Sequence, residues 1–287
     1  MLGELARCRT EYFDLYVLHS LNRTLWEKAK QWDVLSFLQE QRRQGRIRHV
    51  GFSFHGDIAL FREVVDAFDW AFCIIQYNFM DTDHQAGTEG LCYAAEKGLG
   101  VMVMEPLKGG QLARQPPKAV TQVWAKSAWQ ESAASRALRF VWNRPEVTVA
   151  LSGMNELQQL KENLALAQQV KAGGLPPEEL ALYQNARNAY EELIQIPCTR
   201  CQYCMPCPAG VDIPSNFDYY NMGYMYDSIA HARQFYLRPF FDDKRSTNCI
   251  SCNACLPKCP QHLPIPQWLA KISSQWAGEN REIPKDD

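Results

Sequence analysis

No stretch of this 287-residue chain stays apolar for the roughly 18 residues that a membrane-spanning helix requires. The opening residues, Met1-Leu-Gly-Glu-Leu-Ala-Arg-Cys8, lack the basic start and long apolar middle of a secretory signal. Neither sign of charge is in excess. The formal net charge is -2, so there is no electrostatic case for a nucleic-acid partner. No G-x-G-x-x-G follows any strand pattern, which disfavours a dinucleotide-binding Rossmann fold. These absences leave a globular protein with no membrane and no nucleic-acid partner, and a cytoplasmic location is the default expectation. The chain is 46% hydrophobic and 22% charged, ordinary for a protein that buries a core.

Cysteine is the residue in excess, and most of it is gathered in two runs near the end. The first is Cys198-Thr-Arg-Cys201-Gln-Tyr-Cys204-Met-Pro-Cys207-Pro208, the second Cys249-Ile-Ser-Cys252-Asn-Ala-Cys255-Leu-Pro-Lys-Cys259-Pro260. The second has the bacterial ferredoxin spacing C-x2-C-x2-C-x3-C-P, and the first is one residue shorter before its last cysteine. Thiolates are soft, charged ligands for iron, and two-residue gaps let the backbone curl around a 4Fe–4S cube. In two-cluster ferredoxins the fourth cysteine of each run ligates the other cube. That pattern assigns Cys198, Cys201, Cys204 and Cys259 to one cube and Cys249, Cys252, Cys255 and Cys207 to the other. The short gap bears on Cys207, so the expectation is two clusters and at least one. Disulfides belong to oxidising compartments, and zinc more commonly takes two separated pairs. Cys8, Cys73 and Cys92 stand alone and read as ordinary thiols. Few long apolar runs lie between the two cysteine runs. The cubes are therefore expected to hold that segment together in place of a large core, with Phe217, Tyr219, Tyr220, Tyr224, Tyr226, Phe235 and Tyr236 as their apolar jacket.

The rest of the chain alternates between two periods. Strands are predicted at residues 13–18, 48–53, 72–77, 100–104 and 147–151. Helices are predicted at 25–44, at 58–68 capped by Asp57, and at 90–97, 132–143, 155–171 and 177–194. Alternating strands and helices imply parallel βαβ units. Polar and glycine residues gather directly after the strands: His19, Ser53, Gln76 with Asn78, Glu105 to Gly110, and Ser152 with Gly153. In a (β/α)8 barrel that rim is the active-site face. A doubly wound sheet would also bind its ligand there.

Several stretches together resemble the aldo/keto reductase family, in its subgroup with a C-terminal ferredoxin-like domain. They are Asp14-Leu-Tyr-Val-Leu-His19, Gly45-Arg-Ile-Arg-His-Val-Gly-Phe-Ser53, Ile75-Gln-Tyr-Asn78, Met104-Glu-Pro-Leu-Lys-Gly-Gly110, Leu151-Ser-Gly-Met-Asn155 with Glu162-Asn163, and the two cysteine runs. The resemblance implies an α/β fold: a partial (β/α)8 barrel, strands four to eight with their helices, over residues 1–196. A small α-helical iron–sulfur domain follows at 197–287. The first three units, about 95 residues at that family's usual size, would lie upstream. The family works with Asp, Tyr, Lys and His, the Tyr being the general acid. Of these only His19 has a counterpart here.

The same resemblance places Ser53 and Gln76 on the nicotinamide carboxamide, although Phe54 stands where many members have Asn. Glu105, Leu107, Lys108 and Gly109 fall on the pyrophosphate stretch. Ser152, Gly153, Met154, Gln159, Glu162 and Asn163 fall on the adenosine end. NADP-preferring members often carry Lys or Arg where Gly153 and Gln159 stand, so NADP and NAD both remain open. The implied function is a nicotinamide-dependent oxidoreductase, present as a fragment, with two 4Fe–4S clusters for electron transfer. It would act on a small carbonyl or quinone-like substrate. A hydride carries two electrons and a cube accepts one, so a flavin or redox partner protein is also implied. Without the Tyr and its Lys, these residues alone are not expected to turn over substrate. The rival readings are an electron-transfer module on a non-catalytic barrel scaffold, and purely structural clusters.

Overall fold

The computed structural model describes residues 1–277. They form two compact units: residues 1–114 with 128–183, and residues 115–127 with those from 184 onward. The boundary falls within one helix, whereas the division read from the sequence falls after residue 196.

The first unit opens with helix α1 (Leu2–Cys8), followed by β1 (Phe13–Leu21), α2 (Arg23–Gln31), α3 (Val34–Arg43), β2 (Ile47–Phe54), α4 (Ile58–Asp66), β3 (Phe72–Gln76), α5 (Gly87–Glu96) and β4 (Gly100–Met104). Helix α6 (Lys118–Trp124) belongs to the second unit. The first resumes with α7 (Ala133–Trp142), β5 (Val147–Ala150), α8 (Leu157–Gln169) and the start of α9 (Pro177–Glu191). The strands are all parallel and lie in the order β1-β2-β3-β4-β5. A doubly wound sheet reverses its order at a switch point. An unbroken sequential order is the pattern of a (β/α)8 barrel, here with five strands. Among the described residues β1 pairs only with β2 and β5 only with β4. Leu15 on β1, Val149 on β5 and Leu157 and Leu164 on α8 are left exposed.

The core of this unit lies between sheet and helices. Phe52, Ile75, Val101 and Val103 from the strands meet Trp26, Leu38, Phe61, Val64 and Leu91 from the helices. Phe54 sets its ring edge-on to Phe61 at 5.0 Å. Gly51 in β2 has no room for a side chain, because a Cβ there would meet the Phe72 ring at 2.5 Å. Capping follows the sequence expectation at α4, where the Asp57 carboxylate accepts the Leu60 N–H at 2.8 Å. The single helix predicted over 25–44 is instead two. Asp33 adopts φ 50°, ψ 41° and breaks the ladder between α2 and α3. Apolar periodicity on both sides of Asp33 hid the break.

The second unit continues through α10 (Ile213–Met225), α11 (Ile229–Tyr236) and α12 (Ile265–Trp276). Asp212 caps α10 by accepting the Ser215 N–H at 3.2 Å. Contrary to the expectation that this segment lacks a large core, Val211, Ile213, Phe217, Tyr220, Tyr236, Phe241, Leu269, Ile272 and Trp276 pack into one. Much of it comes from α12, beyond the last cysteine. Of the expected aromatic jacket, Phe217, Tyr220 and Tyr236 are in this core and Tyr219 and Tyr224 pack against it. Trp276 is 2% exposed, with the rings of Tyr220 at 5.2 Å and Tyr236 at 5.7 Å. Trp276→Ala should cost about 3–5 kcal/mol and make residues 200–276 protease-sensitive even with iron bound. Limited proteolysis of the iron-loaded variant checks this.

Candidate functional site

The two cysteine runs fold back on one another. Cys198, Cys201 and Cys204 of the first run line a recess together with Cys259 of the second. Cys249, Cys252 and Cys255 line a second recess together with Cys207 of the first run. Cys204 borders both, and so does Ile213, the buried first residue of α10. Phe217, Leu263 and Ile265 complete the wall of the one, Ala209, Pro266 and Leu269 that of the other. In each run the residues flanking the second cysteine have positive φ: Arg200 (57°) and Gln202 (64°), Ser251 (54°) and Asn253 (61°). This conformation is uncommon for residues with a side chain. Here it is repeated at equivalent places and curls each run around its recess.

At three of these thiols burial is the largest influence. It pushes Cys204 up to about 11, with Cys198, Cys201 and Cys255 nearby adding to the shift. Cys198 is raised by burial and by Cys201 and Cys259, against a lowering from Arg200. Cys255 is raised by burial and by Cys249, Cys252 and Cys207. A set of four thiolates in such a recess repels itself, and only a strongly charged metal centre offsets that cost. Among the described residues no three His, Cys, Asp or Glu side chains close on one point as ligands of a single ion do. Thiolates at the corners of a cube stand farther apart than that.

The sheet presents the other site at its C-terminal edge. A cleft of about 780 Å³ is lined by Met104 at the end of β4 and Glu105, Pro106, Leu107, Gly109 and Gly110 after it, by Ser152, Gly153, Met154 and Asn155 after β5, and by Gln159, Glu162 and Asn163 of α8. The residues named from sequence for cofactor binding therefore gather here, apart from Ser53, Gln76 and Lys108. Gln159 accepts the Asn155 N–H at 3.1 Å, which fixes the entry to α8. Glu105 has φ 56°, and its carboxylate accepts the Gly109 N–H.

Ser53 and Gln76 lie at the C-terminal ends of β2 and β3, and Lys108 lies in the loop after β4. Ser53 is buried, and its hydroxyl oxygen accepts the Ser20 N–H at 2.7 Å, leaving its own proton free to donate. His19 is exposed near the end of β1. His55, which the motifs did not single out, is held below the ordinary histidine range by loss of water and by nearby His19, while Gln85 and Glu105 pull the other way.

Lys108 does not line the cleft. Its ammonium lies 2.7 and 2.8 Å from the two oxygens of Asp81. Gln76 and Asn78 donate to the same carboxylate at 2.8 and 2.9 Å. Burial pushes the Asp81 carboxyl up, but Lys108 and these donors outweigh it, and the net shift is down. Asp81 carries no motif of its own. Its neighbours Gln76 and Asn78 were the only sequence signal that this corner is polar.

The aldo/keto reductase family profile matches residues 3–173, more than half of the chain, and a 4Fe–4S dicluster domain profile matches residues 197–263. A search of curated proteins finds no match. Among solved structures, the chain is similar to the aldo-keto reductase AKR11C1 from Bacillus halodurans in its holo form, at 22% identity over 64% of this chain and 62% of that one, TM-score 0.52. It is similar to a thermostable aldo-keto reductase, Tm1743, solved with the inhibitor epalrestat, at 23% identity over 64% of each chain, TM-score 0.50. An aldo/keto reductase from Klebsiella pneumoniae in complex with NADP and acetate matches at 21% identity over 64% of this chain and 62% of that one, TM-score 0.49. The first two, at these identities, carry a likeness of fold alone. The chain spans about 62% of the length of the Bacillus halodurans protein. It belongs to the aldo/keto reductase family, with a 4Fe–4S dicluster domain following the partial barrel.

The Asp81–Lys108 pair gives the β3 and β4 ends a measurable stability term. Lys108→Met strands a buried carboxylate and should cost about 3–5 kcal/mol, read by urea unfolding at neutral pH. Adding Asp81→Asn should recover most of the loss. Because the folded Asp81 carboxyl lies below its ordinary 3.8, the pair's contribution is full above that value and is lost as the pH falls through the lower folded one.

Proposed function

We propose that this chain is the cofactor-binding and electron-carrying part of an oxidoreductase. In this reading a nicotinamide cofactor, NADP or NAD, lies in the cleft after β4 and β5. Two 4Fe–4S cubes occupy the cysteine recesses, and the substrate is a small carbonyl or quinone-like molecule. The observation that carries the reading is that Cys259 lines the recess of the first run and Cys207 that of the second, so each recess has at least four thiols on its wall.

The residues fit the groups. Cys198, Cys201, Cys204 and Cys259 would hold one cube, Cys249, Cys252, Cys255 and Cys207 the other. When bound, a cube supplies one-electron acceptance and the nicotinamide two-electron hydride transfer. The chain's own residues do the rest. The thiols give up their protons as they ligate, so cluster assembly releases acid. Ile213, Phe217, Leu263 and Leu269 shield the inner side of the recesses from water, while Cys201 and Cys252 stay at the surface. At the barrel end, Ser53 has a hydroxyl proton to donate to a carboxamide oxygen. Gly110 after β4 and Gln159 at the start of α8 line the cleft, and the unpaired amides of a helix start suit phosphate oxygens. Exposed His19 would orient the substrate carbonyl.

The protein purified without air should carry about eight iron atoms, two cubes of four, with a broad visible absorption that bleaches on reduction. About four iron atoms would leave a single cube and single out Cys207, at the shorter gap, as the ligand that fails. Bound zinc with no visible band would reject the iron reading.

A further inference from the structure

The two cysteine runs are equivalent in spacing and backbone, yet the surfaces around their recesses differ. Each recess has one exposed cysteine of its own run: Cys201 at the first and Cys252 at the second. Around Cys201 the exposed lining is polar, Thr199, Gln202 and Gln261. Beside it Arg200 is tied to Asp218 at 3.2 Å. Around Cys252 the exposed lining is largely apolar, with Pro206, Pro208 and Ile250, the last 68% exposed, and Asn253 and Lys258 as its polar members. Leu256, next in sequence to the lining Cys255, is also exposed. The one charged residue lining this recess is Lys258, and no carboxylate joins it.

We propose that this second face, built on Ile250, Leu256 and Lys258, is the docking surface for a small acidic one-electron carrier protein. The inference rests on the reading that the recesses hold 4Fe–4S cubes. Exposed apolar side chains of this size beside a cation suit a partner with a matching apolar patch inside an acidic rim. The carrier's chemistry follows from electron counting. A cube exchanges one electron at a time, so the reduced carrier gives up one electron and is oxidised by one, the cube held by Cys207 and the second run is reduced by one, and no bond or proton moves. The first face carries one large exposed ring, Tyr203, but its cation Arg200 is already neutralised by Asp218 and no charged residue lines its recess.

The test uses a bacterial flavodoxin as the carrier and the iron-loaded full chain. Carbodiimide coupling should join the Lys258 ammonium to a flavodoxin carboxylate, located by mass spectrometry. Calorimetric affinity should fall roughly tenfold or more with Ile250→Glu and with Lys258→Gln, and with added salt. Tyr203→Glu, on the first run, should leave it unchanged. Iron content, measured for every variant, separates the two levels of the argument. A wild-type chain without iron overturns the cube reading and the proposal with it. Iron retained, with coupling at another lysine or affinity lost only in Tyr203→Glu, overturns the docking face alone. So does light scattering in which Ile250→Glu abolishes self-association but not flavodoxin binding, which would assign the face to a second copy. Should a variant lose iron, the coupling site on the wild-type chain decides.

Discussion

Four thiolates cannot share one recess without something that offsets their mutual repulsion, and the second unit is arranged around that constraint. Burial and neighbouring sulfurs both favour protonated thiols at Cys198, Cys204 and Cys255. A bound metal centre would offset that cost of ionisation. Exchange of the fourth cysteine between runs ties residues some fifty positions apart into one object, as roughly a 50-residue loop closed at both ends. The apolar core under it, from Phe217 to Trp276, orients α10 and α12 so that Ile213, Phe217 and Leu269 reach the recess walls. The core and the recesses are not alternatives: the cysteines themselves pack against the core.

The first unit answers to a different constraint. Parallel strands need crossovers, and each crossover returns the chain in the same sense. The order β1-β2-β3-β4-β5 then sets every strand end on one edge. That is why residues far apart in sequence, Glu105, Ser152 and Asn163, border one cleft. Asp81 draws Lys108, Gln76 and Asn78 into a fixed corner beside it. A cation that a motif would aim at phosphate is held by a carboxylate instead.

Much of this was legible before the structure. Apolar runs ending in polar residues located every strand, because a buried parallel strand has little other way to be written. Cysteine spacing located both recesses, because ligand geometry tolerates few alternatives. What stayed hidden depends on long-range packing or on a single dihedral. The break at Asp33 interrupts a helical apolar pattern that continues on either side. The core of the second unit comes largely from α12, whose Leu269, Ile272 and Trp276 have ordinary helical spacing and follow the last cysteine. Asp81 and His55 acquire their roles only from neighbours brought in by the fold.

The central claim is that each recess draws its fourth thiol from the other run, and cysteine alkylation reads this directly. In iron-loaded Cys259→Ser, iodoacetamide followed by peptide mass spectrometry should label Cys198, Cys201 and Cys204 well before Cys249, Cys252 and Cys255. If Cys249, Cys252 and Cys255 are labelled first, each run closes on its own cube and the exchange is wrong.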